Sequence, residues 1–226
     1  MDTSYAQFCP IAKAAEIIAQ PWMPLVIREL LCGSCRFNDL HRGVPKMSRS
    51  LLVRRLEQLE QSGLIERRLV GNDAHPEYHL TQAGEAIRPI MIQLGDWGKQ
   101  WVQHEISQHD LDAGLLMWDI QRRIERSQLP PHRVVVLFQF KDAPEEHQQF
   151  WLLLTPDVVD LCLKDPGYDV DLYVCSDIRT FTEVWLGDQD LAQALKDDSI
   201  WLLGPTELQK QFPSWLSLNV FANVKR

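Results

Sequence analysis

Along the first hundred residues, apolar positions recur every three or four places in successive segments and then begin to alternate. Behind Pro10, which forfeits no hydrogen bond in a first helical turn, Ile11, Ala14, Ala15 and Ile18 predict a short amphipathic helix that stops before Pro21. A second helical run covers residues 22–31, with Leu25, Ile27, Leu30 and Leu31 apolar and Gly33 closing it. A third begins in Arg36-Phe37-Asn38-Asp39-Leu40. After the turn Gly43-Val44-Pro45-Lys46-Met47, Ser48 is the expected N-cap of a fourth helix that reaches about residue 62 and ends at Gly63. Residues 64–70 are β-compatible, Gly71-Asn72-Asp73 signals a turn, and residues 75–81 read as the returning strand. Short helices followed by a β-hairpin are the order of a winged helix. Ile87, Ile90, Met91, Leu94, Trp97 and Trp101 then mark a helix over about 82–104, too apolar on one stripe for a lone surface element, with a kink or early break expected at Pro89.

These signals together (Cys9-Pro10, Trp22 with residues 25–31, residues 36–40, residues 48–59, Gly63-Leu64-Ile65, Tyr78-His79-Leu80-Thr81, Gly84 and Trp97-Gly98) resemble the HxlR-type winged-helix regulators, relatives of the MarR group. The resemblance covers residues 8–102 and implies a homodimer that binds double-stranded DNA. It implies that terminal helices make the subunit contact, which assigns Ile87, Ile90, Met91, Leu94, Trp97 and Trp101 to the dimer interface. On the fourth helix Leu52, Leu56 and Leu59 form an inward stripe, while Ser50, Arg54, Glu57 and Gln61 lie opposite, flanked by Arg49 and Val53. Arginine can grip guanine O6 and N7 in a fork, so Arg49 and Arg54 are the expected base readers, with Ser50 a DNA-binding neighbour whose small hydroxyl permits close approach. Ser48 is expected to act through the helix N-terminus, Arg36, Lys46 and Arg55 on phosphates, and His75 in the neighbouring minor groove.

The second half reads as a helix over 112–125, a break at 127–131, strands at 133–140, 149–154 and 168–176, helices at 177–186 and 190–195, a strand at 199–203 and a last helix at 206–212. Antiparallel strands with helices on one side would make this an α+β domain. The run Asp171-Leu172-Tyr173-Val174-Cys175-Ser176-Asp177, with Phe181, residues 185–188, Leu195 and residues 200–204, resembles the sterol-carrier-protein-like fold. That resemblance implies a pocket for an apolar small-molecule effector, with Phe138, Phe150, Leu172, Val174, Phe181, Trp185 and Trp201 as candidate lining. The expected fold class is therefore α+β: a winged helix-turn-helix over residues 8–104 and an acidic sterol-carrier-like domain over 112–226.

Charge supports this division. The formal net charge is -8, but residues 1–104 carry 12 Lys+Arg against 11 Asp+Glu and residues 105–226 carry 11 against 20, so the acidity belongs to the second half. A near-neutral domain can still hold DNA if its cations cluster.

The five cysteines are odd in number and no export signal is evident, so reduced thiols and a cytoplasmic location are expected, with no membrane partner. Cys9 at a helix start is the redox-sensing candidate, because a helix dipole favours thiolate; the resemblance also implies sensing, since some regulators of this kind use a cysteine there. Cys32-Gly33-Ser34-Cys35 has dithiol spacing but lacks the ligands for zinc and the βαβ setting of a redox motif, and reads as an interhelix turn. No metal, cofactor or catalytic constellation is expected. The expected function is a transcriptional regulator, a repressor controlled by an apolar ligand or by Cys9 oxidation. Its rivals are a lipid carrier whose winged helix serves dimerisation, and a redox enzyme built on Cys32 and Cys35.

Overall fold

The computed structural model describes residues 4–70, 75–102 and 106–225. The chain divides into two units, Met1–Gly95 and Asp96–Arg226. In the first, α1 (Pro10–Ile18) opens on its proline, α2 (Met23–Leu31) follows Trp22, and α3 (Phe37–Gly43) leads through a turn to α4 (Arg49–Gln61). Ser48 caps α4, its Oγ accepting from the Leu51 amide at 3.3 Å. Gly63, at φ 72°, takes the left-handed conformation that ends the helix cheaply only without a Cβ. Strands β1 (Ile65–Val70) and β2 (His75–Leu80) pair antiparallel, Ile65 opposite Leu80 and Val70 opposite His75. The predicted turn at residues 71–73 lies outside the described residues.

The helix expected over 82–104 is two helices, α5 (Gln82–Glu85) and α6 (Arg88–Trp101). Pro89 explains the break: it has no N–H for the Glu85 carbonyl and its ring would collide with that carbonyl, so the helix restarts with Pro89 in its first turn. Thr81 ties α5 to the hairpin, its hydroxyl donating to the Gly63 carbonyl at 2.7 Å and accepting from the Gly84 amide at 3.2 Å. The core of this unit joins Met23, Ile27 and Leu30 of α2, Leu40 of α3, Leu52, Leu56 and Leu59 of α4, and Ile65 and Ile87.

The second unit contains α7 (Ala113–Arg122), β3 (Val134–Phe140), β4 (Gln149–Leu154), β5 (Val159–Cys162), β6 (Leu172–Ser176), α8 (Ile178–Trp185), α9 (Leu191–Lys196), β7 (Ile200–Leu203) and α10 (Thr206–Trp215). Asp112, Asp177 and Asp190 cap α7, α8 and α9. The five strands lie in the order β5-β4-β3-β6-β7.

The expectation of a purely antiparallel sheet needs correction, because β3 and β6 pair in parallel. After β5, which the sequence reading missed, the chain returns through residues 163–171 and enters β6 in the direction of β3. That return also shortens the strand expected over 168–176 to its last five residues. One sheet face packs beneath α7, α8 and α10 around Phe138, Phe181 and Phe212. The other carries Val135, Leu137 and Trp151, with Tyr173 and Val170 against them.

Candidate nucleic-acid interface

The first unit spends the two sides of α4 differently. Leu52, Leu56 and Leu59 are locked into the core, and Arg49, Ser50, Val53, Arg54 and Glu57 are exposed. Arg54 has no hydrogen-bond or ion-pair partner among the described residues, so its guanidinium is available to a groove. Arg49 leans toward α3: its Nη1 donates to Asn38 Oδ1 at 3.2 Å and its head lies 5.7 Å from the Phe37 ring centre. Those exposed contacts are weak enough to exchange for a base or phosphate. The Ser48 and Ser50 hydroxyls approach to 3.3 Å at the exposed N-terminus of α4.

Arg55, read from sequence as a phosphate contact, is buried. Its Nε donates to the Pro21 carbonyl at 3.0 Å and its Nη1 to Gln20 Oε1 and Gln58 Oε1 at 2.9 and 2.7 Å. Burial, and then the neighbouring Arg54 charge, hold its pKa below the usual arginine range. A guanidinium with these partners anchors α4 to the end of α1, and reaching a phosphate would strip all three bonds.

Arg36 is exposed, but its Nε donates to Glu77 Oε1 at 3.1 Å, and His79 meets the other carboxylate oxygen at 3.1 Å. Arg36 is the main cause that holds the Glu77 carboxyl below its ordinary range, with His79 adding to it. Lys46 lies exposed in the α3–α4 turn, and His75 is exposed at the start of β2.

The sequence reading missed Arg67 and Arg68, both exposed on β1. Arg68 pairs with Glu66, whereas Arg67 stands opposite Tyr78 on the other face of the hairpin. The signal was the consecutive arginines in a strand that the fold presents as a wing.

Just before α6, Ile87 is buried and belongs to the core rather than to an outer face, and Met91 of α6 packs against that core. Ile90, Leu94, Trp97 and Trp101, at intervals of four, three and four, are exposed, Trp97 by 57% and Trp101 by 61%. No residue of α1 is buried, and Phe8 and Ile11 are also exposed.

Cys9 is partly exposed at the N-cap of α1, its carbonyl accepting from the Lys13 amide at 3.1 Å. Cys32 is exposed, while burial, and then Glu77, push the Cys35 thiol up, which opposes thiolate chemistry at that pair. The Cys35 carbonyl accepts from the Tyr78 amide at 2.8 Å, so this turn is fastened to the wing.

The seven candidate pocket residues of the second unit do not share one environment. Phe138, Phe150, Leu172, Val174, Phe181 and Trp185 are buried in one core. Phe138 and Phe181 meet edge to face at 5.6 Å, and Phe140 meets Phe150 at 6.2 Å and Phe181 at 6.0 Å. These contacts pack Phe138, Phe140, Phe150 and Phe181 against one another. Trp201 is exposed, with Lys141 Nζ 5.3 Å from its ring centre. Among the described residues, no helix is long and apolar enough to cross a membrane.

A helix with an exposed basic N-terminal half, held on a small core next to a two-stranded wing, defines a helix-turn-helix DNA-binding protein. Comparison with known proteins agrees. Residues 17–106 match the model of the HxlR-like helix-turn-helix family. The uncharacterized HTH-type transcriptional regulator YvaP of Bacillus subtilis (strain 168) is 32% identical over 99 residues, which cover 43% of this chain and 92% of that relative. An uncharacterized HTH-type transcriptional regulator of Methanothermobacter thermautotrophicus is 36% identical over 98 residues, covering 43% of this chain and 75% of its own. The HTH-type transcriptional regulator YodB of B. subtilis is 28% identical over 102 residues, covering 42% and 87%. The chain belongs to the HxlR family of DNA-binding transcriptional regulators, by virtue of its first hundred or so residues.

Proposed function

We propose that this protein is a homodimeric repressor that works in the cytoplasm and reads duplex DNA through α4. The observation that carries the reading is Arg54: exposed, without a partner among the described residues, and on the same outer side of α4 as Ser50. Arg49, Ser50 and Arg54 read base edges, Ser48, Arg36 and Lys46 position the helix on the backbone, and His75 with Arg67 follows the adjacent groove from the wing. The exposed stripe of Ile90, Leu94, Trp97 and Trp101 is the subunit contact, since a row of large apolar side chains on one helix is costly in water and is relieved by a second copy. Two α4 helices would then meet half-sites about 34 Å apart. A small change at α6 suffices to prevent both from engaging at once.

The domain roles follow this division: residues 8–104 bind DNA and dimerise, and residues 112–226 form the sterol-carrier-like part, which does no catalysis. Control comes through oxidation of Cys9, which is accessible, rather than through an apolar ligand among the packed rings of the second unit.

The test is selection of bound sequences from random duplexes by the full chain, repeated with Arg54→Ala, with affinities measured against salt. Wild type is expected to lose affinity steeply as salt rises. The variant is expected to relax preference at one base pair per half-site, losing about 1–3 kcal/mol of discrimination. Unchanged selectivity would remove Arg54 from the reading, and no enrichment at any salt would remove DNA binding.

A further inference from the structure

The outer side of α4 carries one large apolar side chain that is exposed: Val53, at 42%. At about 100° per residue, Val53 lies ~40° round the helix axis from Arg49 and ~100° from Arg54, between the two arginines. It takes no part in the core of its unit. A β-branched residue on an exposed helix position is also a poorer helix former than alanine, so neither packing nor propensity favours a valine there.

A solitary exposed valine needs no explanation on most surfaces. Here its neighbours give it one. Ser50 is short enough to admit a close approach, Arg54 is unpaired among the described residues, and the exposed Glu57 and Glu60 of the C-terminal half would repel phosphates. The N-terminal half must therefore be the part that enters, with Val53 near the middle of it. The edges of B-DNA's major groove offer one apolar group, the 5-methyl of thymine.

We propose that Val53 packs against the 5-methyl group of a thymine in each half-site, discriminating thymine from cytosine by apolar contact. This deepens, and rests on, the reading of α4 as the DNA-reading helix. Successive residues advance about 1.5 Å along the helix and base pairs stack about 3.4 Å apart, so Val53 and Arg54 address the same or neighbouring base pairs. The thymine lies at or beside the guanine that Arg54 grips.

The experiment takes the duplex selected by the full chain and replaces each thymine in turn by uracil, which lacks only the methyl and keeps every hydrogen-bonding group. At one position per half-site, uracil is expected to weaken wild type about 4-fold, the worth of one buried methyl, and about 15-fold when placed in both half-sites. Val53→Ala, which favours the helix, and Val53→Ser are expected to bind thymine and uracil duplexes equally.

A bound duplex in which no thymine responds to uracil overturns the proposal. So does a thymine response that persists in both variants. Either result leaves DNA reading by α4 standing. Failure to select any duplex overturns that broader reading, and this one with it.

Discussion

Gly43 closes α3 directly against a buried carboxylate, and replacing it by alanine tests how the turn before the DNA-reading helix is held. Glu29 is 0% exposed. Its Oε1 accepts from Arg28 Nε and Nη2 at 3.0 and 2.9 Å, and the same Nη2 donates to the Gly43 carbonyl at 2.7 Å. A Cβ on Gly43 would fall 1.9 Å from Glu29 Cδ and 2.0 Å from Oε2. Either the end of α3 moves, an overpacking cost of about 1–3 kcal/mol, or Glu29 leaves Arg28, which strands a buried charge at about 3–5 kcal/mol. The first route is cheaper, so Gly43→Ala is expected to destabilise the first unit by about 2–3 kcal/mol.

At tenfold per ~1.4 kcal/mol, that speeds hydrogen exchange of the slowest α2 and α4 amides by about 30- to 150-fold. Exchange measured by mass spectrometry on the full chain reads this unit without reference to the other. DNA affinity should fall too, because the α3–α4 turn is braced from α3 by the 2.9 Å contact between His41 Nε2 and the Met47 carbonyl, just before Ser48. In a Glu29→Ala background the collision is gone, and the same glycine replacement should cost nothing, or gain up to ~1 kcal/mol of helix propensity. Wild-type exchange in Gly43→Ala, or a cost undiminished by Glu29→Ala, would refute the steric argument.

Lys99 in α6 is only 4% exposed and donates to the Leu186 carbonyl at 3.0 Å and to Asp188 Oδ1 at 2.5 Å. Lys99→Met should destabilise the second unit by about 1–3 kcal/mol, less than for a fully buried pair because water reaches Asp188; an unchanged exchange pattern around residues 186–188 would contradict this. The depressed Glu77 pKa means that the Arg36 and His79 contacts stabilise the wing above the ordinary glutamate range near ~4.3 and lose that effect as pH falls through the lower folded value. Arg36→Ala should move the Glu77 titration upward by NMR, and no movement would detach Arg36 from that carboxylate. Trp97→Glu should convert the proposed dimer to monomer in sedimentation equilibrium, and a variant that sediments as wild type does would place the subunit contact elsewhere.

Much of the secondary structure was legible because its causes are local. Ser48, Asp112, Asp177 and Asp190 mark helix starts by supplying an oxygen to the amide three residues on, and Gly63 marks an end by its tolerance of positive φ. The α4 stripe of Leu52, Leu56 and Leu59 likewise told which side faces inward. Strand β5 escaped because Asp160 interrupts its four residues, whereas β7, equally short and also at an edge, is an unbroken apolar run from Ile200 to Leu203.

Helical spacing also distinguishes Arg54 from Arg55, which is three residues after Leu52 and four before Leu59 and so lies beside the inward stripe. What spacing could not show is what holds a guanidinium there: the partners of Arg55 include Gln20 and Pro21, far away in the chain. Ile87, ahead of α6, enters the core while Ile90 on the helix is exposed.

The sequence thus determined the order of elements, the basic outer side of α4 and the acidic character of the second half, all properties of residues within a few positions of one another. Only the tertiary structure decided the parallel pairing of β3 with β6, the partners that hold Arg55 and the ring contacts at the centre of the second core. Those depend on which distant segments meet, and contacts between them are formed by the packing of the whole domain rather than by any one segment's period or caps.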